Sequence, residues 1–183
     1  LKEAEKLYQS ILKNQPTNLD VNNNLGVLLC ALGRFDEAEV SYRKAIEIKP
    51  DYVEAHNNLG NTLKKLGRFD EAEVSYRKAI EIKPDYVEAY YNLGVALDDL
   101  GKFDEAEVSY RKAIEIKPDY VEAHNNLGNT LKKLGRFDEA EVSYRKAIEI
   151  KPDYVEAHNN LGNTLKKLGR FDEAEVSYRK AIE

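Results

Sequence analysis

Four side chains in this sequence belong to types that bind metals or attack substrates: the histidines His56, His124 and His158 and the single cysteine Cys30. A zinc ion needs its ligands together at about 2 Å. These histidines stand 34 residues or more apart, so no two share an ion, and packing between helices is the expected use. Cys30 lies near the end of one helical stretch and His56 near the start of the next, too far apart for a thiol–imidazole pair. Cys30 is therefore read as a small packing side chain. The glycines come singly, each in a Leu-Gly pair, so no phosphate-cradling loop is present. The acids recur with the helix starts, and no isolated acid pair marks a hydrolytic site. The sequence predicts no catalytic residue, no metal and no cofactor.

Amide chemistry remains. Asn24, Asn58, Asn92, Asn126 and Asn160 recur every 34 residues, and an asparagine amide carries both a donor and an acceptor for a peptide group. Such a ladder can grip the backbone of an extended ligand, or it can solvate a groove or bond to a neighbouring repeat. Packed helices lie about 10 Å apart and an extended chain advances about 3.3 Å per residue, so each rung would meet roughly every third ligand residue.

The elements that position these residues are repeated almost verbatim. VEAHNNLGNTLKKLGRFDEAEVSYRKAIEIKPDY at 53–86 returns unchanged at 121–154 and again from 155 onward; 87–120 differs only in its first half, and 19–52 is a diverged copy. Within a copy, Val53, His56, Leu59, Gly60, Leu63 and Leu66 recur at helical spacing, which predicts a helix A with one buried stripe. Gly67 would cap it in a left-handed conformation. Asp70 with Glu73 reads as a capping box for a helix B, with Ala72, Tyr76, Ala79, Ile80 and Ile82 on its buried side. Pro84 ends that helix, and Asp85 with Glu88 reads as the next cap. Gly60 and Ala72 are expected to let the two backbones approach closely.

A period of 34 with Leu59, Gly60, Ala72, Tyr76, Ala79 and Pro84 at these offsets resembles the tetratricopeptide repeat over nearly the whole chain. The resemblance implies an all-α, right-handed α-solenoid (superhelix) of antiparallel helix pairs, with the A helices lining a concave groove for a peptide or protein. The offsets that face the groove in that family fall here on Asn57, Asn58, Asn61, Lys64 and Lys65, with Glu54 at the edge, and on the counterparts Asn129, Asn163 and Lys132. The organisation is then a half-repeat at 1–18, repeats at 19–52, 53–86, 87–120 and 121–154, and a truncated repeat at 155–183. Two departures stand out: His56, His124, His158, Asn22 or Tyr90 replaces the usual early aromatic, and Glu73 holds a position that is commonly apolar, which predicts softer packing. The asparagine ladder in its NNLGNTLKKLGRFDEAE setting further resembles the repeat arm of the O-linked N-acetylglucosamine transferases, in which matching asparagines grip substrate backbone. The carboxylate clamp of co-chaperones needs Lys and Arg where this chain has Glu54, Asn57 and Asn58, so that ligand is not expected.

The resemblance leaves three functions: a non-catalytic binding scaffold, preferred here; the substrate-presenting arm of a larger enzyme; and a self-associating array. A net charge of −5 argues against a nucleic-acid partner held by phosphate contacts. No apolar run reaches the roughly 18 residues of a membrane span, and one cysteine calls for no oxidising compartment, so the cytoplasm is the expected location. Ala174, Tyr178, Ala181 and Ile182 would face water at an uncapped end, inviting end-to-end association. The copy at 87–120 carries eight acidic against four basic residues. Its changes, Tyr90, Tyr91, Val95, Ala96, Asp98, Asp99 and Lys102, fall in helix A or just after it, and read as variation at the groove over a conserved packing layer. Tyr90, Tyr91 and Val95 would form an apolar pocket there, and Asp98 and Asp99 would face lysines or solvent.

Overall fold

The computed structural model describes residues 1–182, which contain eleven helices and no strand. They are α1 (Lys2–Asn14), α2 (Leu19–Ala31), α3 (Phe35–Ile48), α4 (Val53–Lys65), α5 (Phe69–Ile82), α6 (Val87–Asp99), α7 (Phe103–Ile116), α8 (Val121–Lys133), α9 (Phe137–Ile150), α10 (Val155–Lys167) and α11 (Phe171–Lys180). The chain forms two compact units, Leu1–Ala96 and Leu97–Glu183. In the first, α2 pairs with α3 and α4 with α5; in the second, α8 pairs with α9 and α10 with α11.

Each pair is locked by a tyrosine of helix B lying over a glycine of helix A. The Tyr76 ring is wholly buried, and a Cβ on Gly60 would stand 2.5 Å from its Cε1. Gly26 with Tyr42, Gly128 with Tyr144 and Gly162 with Tyr178 repeat the arrangement. The glycine thus makes room for an aromatic ring and not, as its spacing predicted, for a second backbone. Ala72 and Ala79 flank the ring from helix B and are also wholly buried.

The turns differ from expectation at one end of each helix. Gly67 adopts φ +74°, its N–H bonds to the Lys64 carbonyl and the Arg68 N–H to that of Leu63, which completes a Schellman cap. The predicted Asp70–Glu73 capping box does not form. Arg68 occupies the N-cap of α5 with no side-chain cap bond, and Asp70 and Glu71 lie in the first turn, where their charge favours the helix dipole. Helix A starts likewise without a side-chain cap at Tyr52, Tyr120 and Tyr154; Asn18, which accepts from the Val21 N–H, is the exception. His56, His124 and His158 brace these turns instead: each is buried, with Nε2 at 2.8, 2.9 and 2.8 Å from the carbonyl oxygen of Pro50, Pro118 and Pro152.

Glutamates on helix B tie successive pairs together. Glu39 receives Arg43 from its own helix at 2.9 Å and Arg68 from the next helix B at 2.6 Å, and its side chain is only 13% exposed. Glu107 with Arg111 and Arg136, and Glu141 with Arg145 and Arg170, repeat the bridge. The acid at an ordinarily apolar position is thus doubly paired, and the packing is bridged there where the sequence predicted softening. The same arginines fork onto Glu71, Glu139 and Glu173, whose carboxyls those hydrogen bonds hold below the usual range. Burial would raise the Glu107 carboxyl, but the bonds from Arg111 and Arg136 outweigh it and the net shift is downward. Carboxylates with depressed native pKa values contribute stability above the unfolded value of about 4.3 and lose it as pH falls through the native one. The melting temperature is therefore expected to hold from pH 7 to about 5 and to drop below about pH 4. Glu107→Gln should lower it at pH 7 and flatten the acid limb; a variant curve parallel to the parent's would remove this account.

Candidate functional site

The asparagine ladder is built by bonds between neighbouring A helices. Asn58 Nδ2 donates to Asn23 Oδ1 at 3.4 Å, Asn92 Nδ2 to Asn57 Oδ1 at 3.0 Å, and Asn160 Nδ2 to Asn125 Oδ1 at 3.0 Å. Asn126 Oδ1 accepts from Asn125 Nδ2 at 3.4 Å, and Asn24 is exposed. The bond to the neighbour fixes which way each amide points. It also leaves Asn58, Asn92 and Asn160 half-buried, each with its Oδ1 and one amide hydrogen unspent among the described residues.

Asn61, Asn129 and Asn163 have a task the sequence reading did not identify. Their Oδ1 atoms accept the phenol protons of Tyr76, Tyr144 and Tyr178 at 2.8, 2.8 and 3.0 Å. Burial pushes the Tyr144 phenol pKa well above its ordinary value, so the hydroxyl stays a donor and the asparagine presents its Nδ2 hydrogens outward. Where valine replaces this asparagine, at Val27 and Val95, the residue three positions on serves the tyrosine. Cys30 Sγ lies 3.9 Å from Tyr42 Oη and 3.3 Å from Thr62 Oγ1. Asp98 Oδ2 accepts from Tyr110 Oη at 3.3 Å and from Thr130 Oγ1 at 2.9 Å, and its Oδ1 meets Lys133 Nζ at 3.4 Å. Cys30 and Asp98 are thus part of the packing layer. The signal was present in the sequence as paired changes, Asn with Lys in some copies and Val with Cys or Asp in others.

Lys64, Tyr91 and Lys132 are half-buried. Burial lowers the Lys132 pKa, and the neighbouring Lys133 charge lowers it further. Lys132 and Asn163 come together in an open cleft of about 730 Å³ that is completed by Phe137, Lys166, Lys167 and Phe171. The predicted exposed edge is only partly seen: Ala174 is buried against its own helix pair and Tyr178 is half-buried, whereas Phe171 is 64% and Ile182 86% exposed. Among the described residues no helix is long and apolar enough to cross a membrane, and no group of three or more His, Cys, Asp or Glu could hold a metal ion.

A family model described as TPR repeat matches residues 26–67, 60–101 and 128–169. Models described as tetratricopeptide repeat match 87–120, 7–40, 109–142 and 157–183. No curated protein sequence matches. Among solved structures, a crystal structure of MamA is 30% identical with a TM-score of 0.82, over 86% of this chain and 92% of that one. YrrB, described as a TPR protein with an unusual peptide-binding site, is 23% identical with a TM-score of 0.79 over 96% and 90%. MamA from Desulfovibrio magneticus RS-1 shares the fold at 18% identity, with a TM-score of 0.84 over 90% and 93%.

Proposed function

This chain belongs to the tetratricopeptide repeat family, and we propose that it is a non-catalytic cytoplasmic scaffold whose A-helix faces bind an extended peptide or protein segment. The observation that carries this is the half-spent ladder. Asn58, Asn92 and Asn160 are each oriented by one bond to a neighbour and keep a carbonyl oxygen and an N–H for a ligand. Groups held this way lose little freedom on binding, which favours affinity. They read backbone and leave side-chain choice to their surroundings, here Lys64, Tyr91 and Lys132.

Peptides selected from a random displayed library supply the ligand for the test. Replacing Asn58, Asn92, Asn126 and Asn160 by alanine is expected to weaken the best peptide at least about tenfold, the effect of losing one or two net hydrogen bonds. Helicity at 222 nm should be unchanged. Methylating the peptide's backbone nitrogens at every third residue should cost as much. Unchanged affinity in both tests would make the ladder purely structural. Use as the substrate-presenting arm of a glycosyltransferase would rest on the same asparagines. Self-association through exposed Phe171 and Ile182 would leave the alanine variants without effect.

A further inference from the structure

We infer that the cleft formed by α8–α11 is an anion subsite that takes an acidic peptide segment with carboxylates on either side of a bulky apolar side chain. This rests on the peptide-binding reading and adds the chemical class of the ligand. Most lysines of helix B are neutralised on their own helix: Lys44 by Glu47, Lys78 by Glu81, Lys112 by Glu115 and Lys146 by Glu149, all at 2.8 Å. Lys133 pairs with Asp98 and lies 4.8 Å from the Phe103 ring centroid. Lys132, Lys166 and Lys167 have no acidic partner among the described residues, and all three line one cleft.

The remaining polar group of the cleft points the same way. Asn163 Oδ1 is occupied by the Tyr178 hydroxyl, so Asn163 offers N–H. The side chains that line the cleft therefore present three ammonium groups and an amide donor, with no carboxylate among them. Half-buried Phe137 and exposed Phe171 supply apolar walls between the charges, which a bare anion would leave unused and a leucine-sized side chain would cover. The depressed Lys132 pKa fits an uncompensated cation that a carboxylate would relieve. Three lysines on a chain of net charge −5 are too few for a phosphate backbone to be the favoured occupant.

The cleft also has one possible place along the sequence. It needs a lysine near the end of one A helix followed by a lysine pair at the end of the next, and the positions in order hold Cys30–Ala31, Lys64–Lys65, Asp98–Asp99, Lys132–Lys133 and Lys166–Lys167. Only the step from Lys132 to Lys166–Lys167 meets that need.

The test uses the whole chain and a fluorescein-labelled peptide of alternating Glu and Leu, read by anisotropy at low salt. Binding is expected, and it should weaken about tenfold when the peptide's Glu residues become Gln, the loss of about 1.4 kcal/mol of charge contact. K132Q/K166Q/K167Q should weaken it similarly, whereas K44Q/K78Q/K146Q, with the same change in net charge, should not. Equal loss in both triple variants, or tighter binding of a labelled oligouridylate than of the peptide, overturns the proposal. Lysine-dependent binding that survives Asn126→Ala with Asn160→Ala keeps the subsite and sinks the backbone ladder. The opposite pattern keeps the ladder and sinks the subsite.

Discussion

Tyr76→Ala is expected to destabilise the protein by about 3–5 kcal/mol, the range for deleting a fully buried aromatic ring, measured by urea unfolding at 222 nm. The ring has no exposed surface and fills a space that exists because Gly60 lacks a Cβ, so little can collapse into the void. Tyr76→Phe keeps the ring and removes the hydroxyl that donates to Asn61, a cost of about 1 kcal/mol. Gly60→Ala tests the other half of the contact. Helix propensity alone would favour alanine by about 1 kcal/mol, yet its methyl would meet three Tyr76 ring atoms within 2.8 Å, and net destabilisation is expected. Tyr178→Ala removes the same chemistry from a half-exposed ring and should cost less than half as much. Equal losses at Tyr76 and Tyr178 would mean that burial of the ring is not what locks the pair.

These contrasts show what was legible in the sequence. Helix period, the left-handed Gly67 and the stop at Pro84 are local properties of a few consecutive residues, and repetition printed them several times over. Asp70 and Glu73 matched a capping pattern, but the chain enters α5 two residues earlier, at Arg68. A pattern of types does not say which residue sits at the boundary. The position of Glu73 looked like a misplaced polar one because the partner lies beyond any local window: for its counterpart Glu39 that partner is Arg68, 29 residues away at the start of the next helix B. Asn58 and Asn61 look alike on paper. Only the packing separates an amide held by the preceding helix from one that accepts a tyrosine proton.

The copy at 87–120 tests whether its changes are drift or a second solution to one packing problem. Tyr110 is 1% exposed and donates to Asp98, while Val95 stands where Asn61, Asn129 and Asn163 serve their own tyrosines. Asp98→Lys alone removes an acceptor shared by Tyr110 and the buried Thr130, and is expected to cost about 1–3 kcal/mol. Adding Val95→Asn restores the Asn-x-x-Lys pattern found with Tyr76 and Tyr144 and should recover about 1–2 kcal/mol, so the cycle is non-additive in urea unfolding. Additivity within about 0.5 kcal/mol would mean the two positions are independent. The coupling also joins stability to ligand choice. With both changes, Asn129, Lys132, Lys133 and Phe137 would be preceded by a lysine at 98 and by Phe103, the set that matches the cleft now formed by Asn163, Lys166, Lys167 and Phe171 with Lys132 and Phe137. Asp98, which keeps Tyr110 bonded, thereby also withholds the lysine that a second such cleft would need.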